Sequence, residues 1–145
     1  MKVPMKVDYG VRALVELAQR YGGKTVQTVE IAEAQSIPEP YLDQLLTTLH
    51  KLGFIRSRRG PQGGHVLARP PHEISLGMVM ASLEGTQAPL DCMEEPTEGT
   101  LSSICAQRDV WRSVEDAVQS VLSATTIADL ANRQKRLQSR GMYQI

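Results

Sequence analysis

The chain has 145 residues, 41% of them hydrophobic, and sixteen Lys and Arg balance sixteen Asp and Glu to a formal net charge of zero. That length buries a core without staples and suits one globular unit carrying an added oligomerising element. Zero net charge excludes nucleic-acid affinity from a globally basic surface, so any such affinity has to come from local segregation of charge.

Val7, Val11, Leu14, Val15 and Ala18 recur at helical spacing before Gly22-Gly23, which predicts a first helix from about Asp8 to Tyr21. Thr28 is the expected N-cap of a short second helix through Gln35, with Ile31 and Ala32 inward, and Ser36-Ile37-Pro38 breaks it. A third helix is predicted from about Glu39 to Leu52, with Leu42, Leu45, Leu46, Leu49 and Leu52 on its core face and Gly53 as stop. Phe54–Arg59 and His65–Ala68 are short enough for two strands, and Gly60-Pro61-Gln62-Gly63-Gly64 between them permits a tight exposed tip. After Pro70-Pro71, Ser75 opens a fourth helix to about Glu84 on an apolar set of Ile74, Met78, Val79 and Leu83. From Gly85 to Ser103 the composition turns to Gly, Pro, Thr, Ser and acid with no period, so a long loop is expected, of a length usually tied to function. Trp111, Val114, Val118, Val121 and Leu122 mark a long helix from about Cys105 to Ser123, and Thr126-Ile127-Ala128-Asp129 resembles the capping box of a last helix to about Leu137.

Charge is segregated along this plan. Between His50 and Arg69 lie Lys51, Arg56, Arg58, Arg59 and Arg69 with no acid, whereas Glu84, Asp91, Glu94, Glu95 and Glu98 fall in a stretch with no Lys or Arg. Two short helices, a tight turn and an arginine-rich hairpin are the order a winged helix-turn-helix needs to set one helix in the major groove and a loop on the flanking backbone. The fold expected is mainly α: a DNA-binding domain over residues 1–85 with a two-stranded wing, a cysteine-containing sensor loop over 86–104, and a dimerisation helix plus C-terminal helix over 105–145. On the third helix Gln44 suits a bidentate contact to adenine and Asp43 suits the cytosine amino group, while Thr47 and Tyr41 suit phosphate or methyl contacts. Arg58 and Arg59 reach phosphate or a narrow minor groove, and Gly60 and Gly63 let the wing backbone approach the duplex. Thr28, Pro38, Glu39, Pro40, Pro61 and Gln62 complete the expected contact set. Gly60–Gly64 does not match a phosphate-binding loop, because no Gly-Lys-Ser/Thr follows, and His50, His65 and His72 lack paired metal spacing, so surface or wing roles are expected for them. No nucleophile-elbow motif and no paired carboxylates in apolar sequence point to an enzyme. With no membrane-length apolar run and no signal-peptide core, a cytoplasmic protein is expected.

The chain resembles the Rrf-two (BadM-type) bacterial transcription regulators over nearly its whole length. The likeness rests on Val7-Asp8-Tyr9-Gly10-Val11-Arg12-Ala13-Leu14, Ile31-Ala32-Glu33, Ile37-Pro38-Glu39-Pro40-Tyr41-Leu42-Asp43-Gln44-Leu45-Leu46, Leu52-Gly53-Phe54-Ile55, the Arg58–Gly64 wing, Ile74-Ser75-Leu76 and Leu83-Glu84-Gly85. The resemblance implies a homodimer that binds a pseudo-palindromic operator and usually represses. Members that sense through iron and sulfur place three cysteines in the loop before the long helix, with a fourth ligand from elsewhere. Here Cys92 matches the first and Cys105 the third, Glu98 stands in the middle, and Arg108 stands where some relatives have a histidine. Asp8 matches the carboxylate that serves others as fourth ligand from the partner subunit. The set implied for an iron–sulfur cluster, a two-iron two-sulfur one if any, is therefore Cys92, Cys105, Asp8 and Glu98. Two alternatives stay open: loop thiols that bind no metal, and reversible thiol oxidation that senses a redox or sulfur-metabolic signal. A cluster-free regulator or interaction module controlled by a protein partner or small ligand is the competing function.

Overall fold

A computed structural model describes residues 2–85 and 106–143, which form six α-helices and one two-stranded antiparallel sheet. Helix α1 spans Met5–Gln19, α2 Thr28–Gln35 and α3 Glu39–Lys51; strands β1 (Ile55–Arg58) and β2 (Gly64–Leu67) follow, then a 3-10 turn at Pro71–Glu73. Helices α4 (Leu76–Glu84), α5 (Arg108–Ala124) and α6 (Ile127–Tyr143) complete the order. This is a winged helix-turn-helix with helices added on its far side.

The core is continuous across both parts. Leu14 and Leu17 of α1, Ile31 of α2, and Leu42, Leu46 and Leu49 of α3 are buried together with Ile55, Ile74 and Val79. The helical spacing of the leucines in α3 is what delivers one solid face to this cluster. Leu52 departs from that pattern: it is the C-cap and 40% exposed, because the helix has stopped before its side chain can turn inward. Ser36 takes a left-handed conformation (φ 54°, ψ 47°) and Ile37 is buried beneath it, which makes the tight reversal from α2 to α3.

Several boundaries differ from expectation for local reasons. Thr28 is not the N-cap of α2 but its first residue. Gln27 caps instead, its backbone N–H donating to Glu30 Oε2 at 2.8 Å. Helix α1 begins three residues earlier than predicted, since the Pro4 carbonyl accepts from the N–H groups of Val7 and Asp8 at 3.0 Å each. Helix α6 runs past Leu137 to Tyr143 through residues that include no proline. The caps at Ser75, which accepts from Met78 N–H at 3.1 Å, and at Thr126 and Asp129, which exchange bonds of 2.9 and 3.1 Å, form as the sequence predicts. Hydrogen bonding from Thr126, its backbone N–H first and its side chain second, holds the Asp129 carboxyl below its ordinary pKa.

One long-range pairing ties the two parts. Ser75 and Thr126 form an antiparallel bridge, with Leu76 N–H donating to Thr125 O and Ile127 N–H to Ile74 O, both at 2.8 Å. Ile74 and Ile127 are fully buried at this seam, and α6 lies against α1. Truncating Ile127 to Ala removes a fully buried side chain where backbone bonds restrict collapse, so a loss of about 2–5 kcal/mol is expected in urea unfolding. A loss under about 1 kcal/mol would mean that α6 is an appendage rather than part of the core.

Candidate nucleic-acid interface

The outer face of α3 carries the residues that the leucine stripe leaves over. Pro38, Glu39, Pro40, Asp43, Gln44 and Thr47 are all exposed. Thr47 Oγ1 donates back to Asp43 O at 3.0 Å, so its hydrogen stays within the helix and its methyl is what faces outward. Tyr41 is half-buried: its ring meets Tyr9 of α1 edge-on, centroids 5.4 Å apart.

Beside α3 stands the wing. Its register pairs Ile55 with Leu67, Arg56 with Val66, Ser57 with His65 and Arg58 with Gly64, which leaves residues 59–63 as the tip. Arg58, Arg59, Gly60, Pro61 and Gln62 are exposed, and among the described residues no carboxylate pairs with Arg56, Arg58 or Arg59. Gly63 is buried, and its role is steric. A Cβ there would overlap the Arg58 carbonyl oxygen and lie 2.8 Å from the Arg59 carbonyl carbon. At Gly64 (φ 145°) a Cβ would come within 2.7 Å of Val26 O.

Three residues outside the predicted contact set fix where the wing sits. Val26 bridges His65 through backbone bonds of 3.0 and 2.8 Å. Thr25 Oγ1 lies 3.1 Å from the carbonyls of Gln62 and Gly63, and Gln27 Nε2 donates to Gly63 O at 2.6 Å. Thr25-Val26-Gln27 alternates polar, apolar, polar, but three residues are too few to announce a strand. His65 closes the junction. Its Nε2 is 2.8 Å from Thr28 Oγ1 and its Nδ1 is 2.8 Å from Ser57 Oγ, so Thr28 faces the wing's histidine.

The residues implied as metal ligands are not brought together in what is described. Cys92, Glu98 and Cys105 lie outside the described residues. Asp8 is placed on α1, where its Oδ1 takes the Arg12 guanidinium at 3.0 Å. Arg12 in turn donates to Gln35 O at 3.3 Å and lies over the Tyr9 ring. Among the described residues no group of three His, Cys, Asp or Glu side chains could hold a metal ion. The chain has only two cysteines, whereas cluster iron prefers thiolate, and the one described carboxylate of the set already serves a guanidinium. That donor set is a poor fit to an iron–sulfur cluster.

The Rrf2 family model, described as iron-dependent transcriptional regulators, matches residues 3–133. The chain belongs to the Rrf2 family. It is 34% identical to the HTH-type transcriptional regulator CymR of Bacillus subtilis (strain 168) over 145 residues, covering all of both chains. The solved structure of that global cysteine regulator superposes with a TM-score of 0.77 at 34% identity, covering 92% of this chain and 98% of the other. T. potens IscR matches with a TM-score of 0.76 at 36% identity over 95% of this chain and 91% of its own. An oxidised form of Staphylococcus aureus CymR matches with a TM-score of 0.71 at 36% identity over 90% of this chain and 96% of its own. This Rrf2 protein is thus a DNA-binding transcription regulator rather than an enzyme. Among the described residues no helix is long and apolar enough to cross a membrane.

Burial lowers the pKa of His65, with His50 adding to the effect and Asp43 opposing it. As pH falls, the unfolded chain takes up this proton first, near pH 6.5, and the folded chain only at lower pH. Stability is therefore full above about pH 6.5 and declines as pH falls toward the lowered folded-state value. His65→Gln should flatten this decline in unfolding midpoints measured across pH. An equally steep decline in the variant would remove the buried imidazole as its cause.

Proposed function

We propose that this Rrf2 regulator works as a homodimeric repressor that reads a pseudo-palindromic operator and takes its signal through the segment around Cys92 and Cys105. The observation that carries the DNA half is the adjacency of an exposed Asp43–Gln44–Thr47 row to a wing whose arginines have no carboxylate among the described residues. In this reading Gln44 and Asp43 meet base edges, Thr47 makes a methyl contact because its hydroxyl hydrogen is held by Asp43 O, and Tyr41 makes a methyl or phosphate contact. Thr28, Pro38, Glu39 and Pro40 border the backbone, while Arg58, Arg59 and the exposed Gly60-Pro61-Gln62 tip grip phosphate or the minor groove; Gly63, expected in that set, is buried with its N–H and carbonyl already bonded and shapes the turn instead.

The homodimer is supported by α5. None of its residues is buried, and Val110, Val114 and Val121 are 63%, 46% and 65% exposed on one stripe. Between α5 and α4 runs a groove of about 490 Å³ lined by Met80, Ala81, Trp111, Val114, Val118 and Leu122. An apolar stripe of this kind needs a second surface, and a copy of the same helix supplies a self-complementary one. Two reading heads then meet half-sites about one helical turn apart.

For the signal, thiol chemistry is favoured over a cluster because the donor set is short of thiolate. The relatives are named a global cysteine regulator and, in one case, an oxidised form, and that chemistry is carried here as a proposal. A redox or sulfur-metabolic signal at Cys92 and Cys105 enters between α4 and α5 in the chain, so it acts on the helix that relates the two heads.

Arg59→Ala should weaken duplex binding and flatten the slope of log affinity against log salt by about 0.9, the amount for one phosphate. An unchanged slope would take Arg59 off the phosphates. Val114→Glu should shift sedimentation equilibrium toward the monomer and reduce affinity for a two-half-site duplex. A variant that remains dimeric would place the interface elsewhere.

A further inference from the structure

Three elements that a winged helix sets against a duplex meet on one imidazole. His65 on β2 bonds Thr28 at the start of α2 and Ser57 on β1, and its charge state responds to Asp43 and His50 of α3. None of the base or phosphate contacts proposed above uses it.

The number of outward hydrogens in this cluster depends on protonation. A neutral imidazole has one N–H and one bare nitrogen, so one hydroxyl accepts from the ring while the other donates its own hydrogen to it. An imidazolium has two N–H groups, so both hydroxyl oxygens accept and both hydroxyl hydrogens are released outward. The ring keeps its two bonds either way. What changes is the outer face, which gains one O–H donor and one positive charge. DNA phosphate oxygens accept hydrogen bonds and carry negative charge.

We propose that His65 takes up a proton from solvent when the protein docks on DNA, while Thr28 and Ser57 turn their hydroxyl hydrogens to a backbone phosphate. The inference rests on the DNA-binding reading and adds proton linkage to it. In the free protein, burial holds the ring neutral against Asp43, which favours the cation, while His50 opposes the cation. Arg20, Tyr21 and Lys24 line a small cleft with His65, and Arg20 is balanced by Glu16 and Glu30. Arg56 and Arg58 flank Ser57 on β1, where strand alternation turns them to the opposite face. A phosphate is the one nearby charge that arrives only with DNA.

The test measures affinity for a duplex selected from a random pool against the wild type, between about pH 8 and about pH 6 at fixed salt. Calorimetry in two buffers of different ionisation enthalpy counts the protons. One linked proton changes affinity by up to about tenfold per pH unit between the free and bound pKa values. Wild type should tighten as pH falls and take up as much as one proton. His65→Gln keeps one donor and one acceptor, as the neutral ring does, and should lose the pH slope while retaining steep salt dependence, less than wild type's only at low pH and by no more than the one charge's share of about 0.9; His50→Gln should keep both. A flat wild-type pH profile with steep salt dependence overturns the proton linkage and leaves DNA binding standing, whereas absence of salt-dependent binding at every pH overturns the DNA-binding reading itself. A slope that survives His65→Gln and disappears in His50→Gln assigns the proton elsewhere and also overturns the proposal. Should His65→Gln not fold, the His65 ring resonances of wild type, titrated free and bound, decide: an unchanged pKa on binding is the negative result.

Discussion

The backbone pairing of Val26 with His65 is the constraint on which the DNA-facing half depends. A two-stranded hairpin is marginal in water by itself, and this wing has only four residues in each strand. Val26 adds a third backbone partner, and Thr25 and Gln27 catch the carbonyls of Gln62 and Gly63 from either side. The approach is close enough that a Cβ at Gly64 would meet the Val26 carbonyl, while the hairpin's own turn at Arg58 and Arg59 excludes one at Gly63. Because residues 25–27 run directly into α2, the angle of the wing and the position of the helix-turn-helix are set by the same three residues.

Helix α1 performs the matching task at the other end of α2. Arg12 donates to the Gln35 carbonyl, and Glu16 accepts from Gln35 Nε2 at 3.0 Å while pairing with Arg20. Arg20 also lies 3.6 Å from Glu30, so contacts from α1 reach both ends of α2. These pairs differ in weight. Asp8–Arg12 is largely solvated and contributes about 0–1 kcal/mol, whereas Glu16 is only 5% exposed and its removal would leave polar partners unsatisfied at a half-buried seam. The Tyr9–Tyr41 contact extends the same frame to α3.

Most of the helices were legible because their signal is local. Leu42, Leu45, Leu46 and Leu49 recur at the helical period, and Ser75 and Thr126 cap where their side chains allow it. The misses are residues whose role is set from far along the chain. Thr28 has the chemistry of a cap, but Gln27 and Glu30 close the helix first and His65, thirty-seven residues on, takes its hydroxyl. Ile74 and Ile127 read as ordinary apolar positions, and nothing near either one announces that their backbones pair. On the candidate interface, the exposed row of α3 and the wing arginines could be read from polarity and charge. The seat of the wing could not, since Thr25, Gln27 and His65 carry no pattern until the hairpin folds back onto them.

The charge distribution follows from this arrangement. A chain of zero net charge has no long-range pull toward DNA, so the field has to be local. Three of the four acids of α1 and α2, Asp8, Glu16 and Glu30, pair with Arg12 and Arg20 within the frame, and the arginines of the wing have no such counterpart among the described residues. Pairing most of the frame's acids while leaving the wing cationic concentrates the attraction on one face. In the proposed dimer two such faces are related by α5, whose Val110, Val114 and Val121 are exposed. Helix α5 is joined to the reading head twice, through residues 85–107 to α4 and through Thr125–Ile127 to the Ile74 seam. The second joint is a pair of backbone bonds beside the buried Ile74 and Ile127 and resists movement; under the proposed function, a signal entering near the first shifts α5 about that pivot. In that proposal the separation of the two reading heads is the quantity such a pivot alters most directly, so a sensor placed before α5 governs operator affinity without touching the residues proposed to read bases.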